Sequence, residues 1–270
     1  MSQDNELEMF FLNSLKNKDN KHPLTTKESA QVENVDIDMV YANGDSWAWG
    51  SELGDESQDY RDAHSYPGLI AKNLGVELYN NSKPGASNQR VFRTTIHDIS
   101  KLLLENRKPL VILTWTEVHR FELFETASKQ WVSFSNPGSS TNESLTNEIW
   151  GKYSTDASNL ISLITKFIAI DSFFKHNNVP YIMVTSCGIT PESFGKNWLT
   201  SGVPTEEFLM YKTLTERINY IGQFTLSSYL RTFNRVKWGL NHHPLEGGHE
   251  IMADFIFLQI NDRYNITVNK

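Results

Sequence analysis

The chain has 270 residues, 39% hydrophobic, 12% aromatic and 21% charged, which is enough for one sizeable core and excludes disorder along its whole length. Its 25 Lys and Arg against 32 Asp and Glu give a net charge of −7, the wrong sign for a phosphate-tracking nucleic-acid binder. Apolar runs such as Ile168 to Ile170 and Phe255 to Ile260 fall short of the roughly 18 residues of a membrane span. The polar N-terminus lacks the pattern of a secretory signal, so a cytoplasmic protein with no membrane partner is expected. A single cysteine, Cys187, excludes an internal disulfide and Cys-based metal sites. Neither the oligomeric state nor a cofactor is indicated.

Residues 1–35 are polar and read as a tail, with one short helix around Leu7 to Leu15. Order is expected from Val35 to Tyr41, an alternating-to-apolar run that reads as one buried strand and ends at the turn signal Ala42-Asn43-Gly44-Asp45-Ser46. Tyr66 to Leu74 has helical spacing and stops at Gly75; Val76 to Asn80 is a short strand. A loop from Ser82 to Asn88 leads into a second helix, Arg90 to Glu105, and Pro109 to Trp115 is the clearest buried strand. This β-α-β-α-β order implies right-handed crossovers and a parallel sheet. Residues 125–155, rich in Ser, Thr, Asn and Gly with Trp131, Phe134, Trp150 and Tyr153 among them, break the pattern as an insertion. A helix from Asp156 to His176, a strand from Val179 to Thr185, a helical stretch from Glu206 to Ile221 and a last helix from Glu246 to Asn261 follow. The chain reads as one α/β domain over 36–270 behind a tail.

Three loops follow strands or precede the last helix, and ligand sites in open parallel sheets gather at the carboxyl ends of strands. In Gly44-Asp45-Ser46-Trp47 the glycine permits a sharp turn, and a Ser hydroxyl there becomes a nucleophile only beside a base. As a bare tripeptide it is equally a turn or a helix cap. In the Asn80 to Asn88 loop, Gly85 can present a backbone N–H of the kind an oxyanion hole requires, or simply connect two elements. In Asn241-His242-His243-Pro244-Leu245-Glu246-Gly247-Gly248-His249, a His held by a following Pro suits a general base. His242 is a rival base, and His249 reads as packing or capping. Adjacent histidines point apart and no H-E-x-x-H is present, so no metal site is assigned.

These three blocks, in this order across residues 36–261, resemble the SGNH (GDSL-type) hydrolases. Trp49-Gly50, Ser65-Tyr66-Pro67, and Thr114-Trp115-Thr116 with Arg120-Phe121-Glu122 add to the likeness, in wording similar to SGNH-like proteins of bacteriophages and bacteria. The resemblance implies a three-layer α/β/α sandwich with a mostly parallel, flavodoxin-like central sheet. It also implies serine esterase chemistry, with Ser46 as nucleophile, His243 as base, and an oxyanion hole from the N–H groups of Ser46 and Gly85. Two positions depart from the family. Where it carries a Gly-x-Asn oxyanion donor this chain has Thr114-Trp115-Thr116, leaving Thr116 or Asn88 as the donor. Where it carries an Asp three residues before the base this chain has Leu240, leaving Asn241, a backbone carbonyl, or a carboxylate from Glu117, Glu122 or Glu246 to orient His243, or else a weakened catalyst.

Asp45, Trp47, Trp115, Glu117 and Arg120 are candidates for substrate binding, and the tryptophans are equally candidates for the core. The expected activity is hydrolysis of a short acyl ester. O-acetyl groups on a carbohydrate are suggested by the polar, Trp-containing insertion. The alternatives are a catalytically silent SGNH-fold protein that binds a glycan or a protein partner, motivated by Leu240 and Thr116, and an acyltransferase.

Overall fold

In the computed structural model the described residues are 32–134 apart from 56, Glu148, 156–188, and 218–268 apart from 219 and 222–223. The expected helix near residues 7–15, most of the insertion and residues 206–217 lie outside them. Five parallel strands form the central sheet: β2 (Met39–Asn43), β3 (Glu77–Asn80), β4 (Pro109–Trp115), β7 (Tyr181–Thr185) and β8 (Tyr220–Ile221), in the order β3-β2-β4-β7-β8. The first strand of this sheet lies between the second and the third. The order therefore reverses between β2 and β4, and their carboxyl ends open the crevice in which α/β sheets place ligands.

All seven residues of β4 are buried, and alternation sends them to two cores. Val111, Leu113 and Trp115 join a cluster with α4 (Asn88–Leu104) and α5 (Asp156–His176) through Val91, Ile99, Leu160, Ile164 and Phe167. Leu110 and Ile112 join the opposite cluster, with α3 (Tyr66–Leu74), α6 (Leu226–Leu230) and α7 (Glu246–Asn261) through Ile70, Leu230, Met252 and Ile256. Helices cover both faces, as the three-layer expectation required. Two short helices, α1 (Ser46–Trp49) and α2 (Gln58–His64), link β2 to α3.

The expected strand from Val35 to Tyr41 is two strands. β1 (Glu33–Ile37) pairs in parallel with β9 (Tyr264–Val268), and β2 enters the central sheet. The break falls at Asp38, whose carboxylate accepts from the Arg107 guanidinium and the Lys108 N–H, both at 3.0 Å. The helix expected to reach Ile221 is corrected at its end. Tyr220 and Ile221 pair with Met183 and Val184 as β8, and the Tyr220 hydroxyl meets Thr185 Oγ1 at 2.8 Å. An antiparallel hairpin, β5 (Phe121–Glu125) and β6 (Gln130–Phe134), starts before the expected insertion and runs into it, closed by Phe121 stacked on Phe134.

Candidate active site

β2 ends by passing close over β4. A Cβ on Gly44 would lie 2.7 Å from Thr114 Cβ and 2.9 Å from its carbonyl oxygen, so only glycine fits. Asp45 caps α1, its Oδ1 accepting from the Trp47 N–H at 3.0 Å, and Ser46 opens the helix. Asp45 is fully buried. Its Oδ2 accepts from the Thr116 and Ser186 hydroxyls, both at 2.7 Å, with Arg120 Nη1 at 3.7 Å. The carboxyl ends of β2, β4 and β7 are thus tied together under Ser46.

Ser46 Oγ lies 2.7 Å from His243 Nε2, across 197 residues of sequence. His243 Nδ1 lies 2.8 Å from Glu52 Oε2. A carboxylate only accepts, so Nδ1 carries the proton and Nε2 is left to accept from the Ser46 hydroxyl. Glu52 also accepts from the backbone N–H of Asn241 at 2.9 Å and of His243 at 3.2 Å. Burial pulls the Glu52 carboxyl upward. The Asn241 N–H, the His243 ring and N–H, and the charge of His243 outweigh it, holding the group below its ordinary range.

Local backbone explains how Glu52 reaches the imidazole. α1 closes at Gly50 with φ of +82°, and Glu52 itself sits at +66°. His243 leaves a tight turn in which Gly239 N–H donates to the His243 carbonyl at 2.8 Å and His242 takes a φ of +61°. A Cβ on Gly239 would lie 2.6 Å from Glu52 Cδ, so the turn accommodates the carboxylate only with glycine there.

The expected roles divide accordingly. Ser46 and His243 are brought together. His242 is exposed at the turn, and it is His243 that meets Ser46. Asn241 does not touch the imidazole; its Nδ2 reaches Glu52 Oε1 at 3.3 Å, because the carboxylate already occupies His243 Nδ1. Leu240 is 95% exposed. Of the offered carboxylates, Glu122 pairs with Arg93 at 3.0 Å, Glu117 with Arg120 at 3.6 Å, and Glu246 accepts from Gly54 and Tyr60. Glu52 carries no local sequence signal, because it lies on a surface turn outside both the strand ends and the His block.

The expected oxyanion donors from side chains are also corrected. The Thr116 hydroxyl is spent on Asp45, and the Asn88 amide donates to the carbonyls of Thr116 and Glu117 while its oxygen accepts from Thr116 N–H. Gly85 takes a φ of +71°, and its loop is tied to the Ser46 turn by Lys83 N–H donating to the Gly44 carbonyl at 3.0 Å. Trp115 is wholly buried against Phe167, and Trp47 is buried beside Trp238; these are core positions. Asp45 is likewise internal. Arg120 keeps a 17% exposed side chain above Asp45 and Glu117, with Nε and Nη1 lacking a hydrogen-bond acceptor among the described residues.

His249 is buried. Its Nδ1 accepts from Tyr66 N–H at 3.1 Å, and burial pushes its pKa down to about 3. The Cys187 thiol, next to Ser186, is pushed up to about 12 by burial and by Asp45. Among the described residues no group of three or more His, Cys, Asp or Glu is placed to hold a metal ion, and no helix is long and apolar enough to cross a membrane.

The fold and site define an α/β protein with a Ser–His–Glu hydrogen-bonded chain at the switch point of a parallel sheet. The chain belongs to the DUF6071 family, a family of unknown function, which it matches over residues 51–267. No curated protein matches it in sequence. Among solved structures it is similar to the psychrotrophic esterase EstA from Pseudoalteromonas sp., with 11% identity, 83% of this chain and 96% of that chain covered, and a TM-score of 0.46. It is similar to an alpha/beta hydrolase enzyme from the metagenome of Lake Arreo, with 12% identity, coverage of 86% and 98%, and a TM-score of 0.48. It is also similar to a member of the lipolytic protein G-D-S-L family from Veillonella parvula, with 12% identity, coverage of 80% and 94%, and a TM-score of 0.41. None of these matches supports a phage origin.

Proposed function

We propose that the chain is a serine ester hydrolase of the SGNH type that cleaves short acyl esters through an acyl-enzyme. The observation that carries this reading is the unbroken chain from Ser46 Oγ through His243 to Glu52, at 2.7 and 2.8 Å. In the proposed reaction His243 Nε2 takes the Ser46 proton as Oγ attacks the acyl carbonyl carbon. Glu52 stabilises the imidazolium that forms. The N–H groups of Ser46 and Gly85 receive the charge on the carbonyl oxygen, a contribution of about 3–4 kcal/mol per donor in such sites. His243 then gives its proton to the departing alkoxide. A water, deprotonated by the same nitrogen, releases the acid and restores Ser46.

Leu240 and Thr116 motivate the silent-protein alternative; Glu52 supplies from elsewhere in the chain the carboxylate that position 240 lacks, while the Thr116 hydroxyl is spent on Asp45 and the oxyanion falls to backbone N–H groups in this reading. Arg120 and Glu117 remain the substrate contacts in this reading, Arg120 offering its charge to an acceptor on a small polar ester such as an O-acetylated sugar. Incubation with a fluorophosphonate followed by intact-protein mass spectrometry tests the proposal. One adduct on Ser46, absent in Ser46→Ala and His243→Ala, is expected. A folded wild-type protein that takes no adduct and cleaves no ester in a broad panel would overturn it.

A further inference from the structure

Glu246, the first residue of α7, serves a different partner from the one its position suggested. Its Oε1 accepts from the Gly54 N–H and from the Tyr60 hydroxyl, both at 2.9 Å. Gly54 follows Glu52 by two residues and Glu246 follows His243 by three, so the segments 52–54 and 243–246 are joined by two rungs. One rung is Glu52 to His243 at 2.8 Å and the other is Glu246 to Gly54 at 2.9 Å. Between them Leu53 is buried on one side, and on the other Pro244, bridged to Trp238, is buried as well. Gly54 suits the second rung, since a Cβ there would stand 3.1 Å from Glu246 Oε1. The Gly54 N–H, opposed by burial and aided by its own N–H and by Tyr60, holds the Glu246 carboxyl below its ordinary range.

The second rung answers a need of the first. A non-glycine residue at φ of +66°, as Glu52 is, sits in a backbone conformation that persists only where its surroundings over-determine it. The turn at 239–243 grips the Glu52 side chain, and the backbone beyond it is pinned at Gly54. We propose that Glu246 is a positioning residue: its carboxylate ties the Glu52 segment to the start of α7 and so keeps Glu52 on His243 Nδ1. This inference rests on the proposed Ser46 site for its kinetic consequences, but the positioning itself has a spectroscopic readout.

The test compares Glu246→Ala, Glu246→Asp (one methylene short) and Glu246→Gln, which keeps an acceptor oxygen for both donors. In full-length protein labelled with 15N-histidine, the hydrogen-bonded Nδ1–H proton of His243 is identified by its loss in Glu52→Ala. That resonance is expected to persist in Glu246→Gln and to shift or vanish in the Ala and Asp variants. With a short aryl ester, kcat is expected to fall by up to about 10²-fold in the Ala and Asp variants while KM holds, as for a small misplacement of a catalytic group. In a Glu52→Ala background the Glu246→Ala effect should disappear, since both act through one contact. An unmoved resonance in both the Ala and Asp variants, or full additivity with Glu52→Ala, would overturn the proposal. No such resonance in the wild type would overturn it together with the Ser–His–Glu reading. A resonance that responds as expected in a protein without turnover would sink the esterase reading alone and leave the positioning role standing.

Discussion

The two halves of the site are held by different physics. Ser46 stands on a buried platform: Asn43, Asp45, Thr116 and Ser186 are all wholly inaccessible and saturated with short hydrogen bonds at the ends of three adjacent strands. His243 and Glu52 meet on surface turns, each 19% exposed in its side chain, with left-handed residues at Glu52 and His242 and an exposed Leu240 between. The platform is placed by the same burial that makes the sheet, whereas the rim is placed by a handful of charge-assisted hydrogen bonds. Damage to the platform should therefore appear first as lost stability, and damage to the rim as lost activity in a folded protein.

The largest expected rim effect is at Glu52. Under the proposed reaction Glu52→Gln should lower kcat by about 10³- to 10⁴-fold, as when the acid of a Ser–His–acid triad is exchanged for its amide, with a melting temperature close to wild type. Adding Leu240→Asp should not restore turnover, because position 240 is almost fully exposed. Steady-state kinetics and thermal melts on the same preparations decide both points.

A platform substitution should behave in the opposite way. Thr116→Val removes one of the two hydroxyl donors to the buried Asp45 carboxylate, and a loss of about 1–3 kcal/mol in urea unfolding is expected. His249 supplies a pH-dependent counterpart on the same scale. Its folded pKa of about 3 lies below the unfolded value near 6.5, so between these limits the unfolded chain binds the extra proton. Stability should be full above pH 6.5 and fall by up to about 1.4 kcal/mol per pH unit below it. His249→Gln should flatten that slope in urea titrations from pH 7.5 to 4.5, and an unchanged slope would place its origin elsewhere. The smallest effect is expected at Asn241. Among the described residues its amide makes only the 3.3 Å contact to Glu52 while its backbone N–H does the stronger work, so Asn241→Ala should change kcat by less than about fivefold.

The same contrast explains what could be read from the sequence. Pro109 to Trp115 is legible because a strand buried on both faces must be continuously apolar, and Tyr66 to Leu74 because its 3.6-residue spacing ends at a left-handed Gly75. Ser46 and His243 were legible because strand ends and a His-Pro turn carry local signals. Glu52 carries none: it is a charged residue in a polar turn, and its partner is 191 residues away. The bonding of Thr116 and Asn88 is illegible for a related reason. Sequence shows a donor but not the acceptor that consumes it, and here Asp45 and the carbonyls of 116 and 117 do so. The split at Asp38 was hidden because Arg107 and Lys108, which hold its carboxylate, lie about 70 residues on.

The lone thiol has a practical consequence. Thiol reagents attack the thiolate, and with its pKa near 12 Cys187 is almost entirely protonated at neutral pH. It is also the only cysteine in the chain and adjoins Ser186, one of the two hydroxyls that hold Asp45. The protein therefore carries a native reporter one residue from Ser186: the thiol is half-buried but almost wholly protonated, so alkylation of Cys187 is expected to be slow at neutral pH and to quicken as pH rises, with no label introduced and no competing sulfhydryl to subtract.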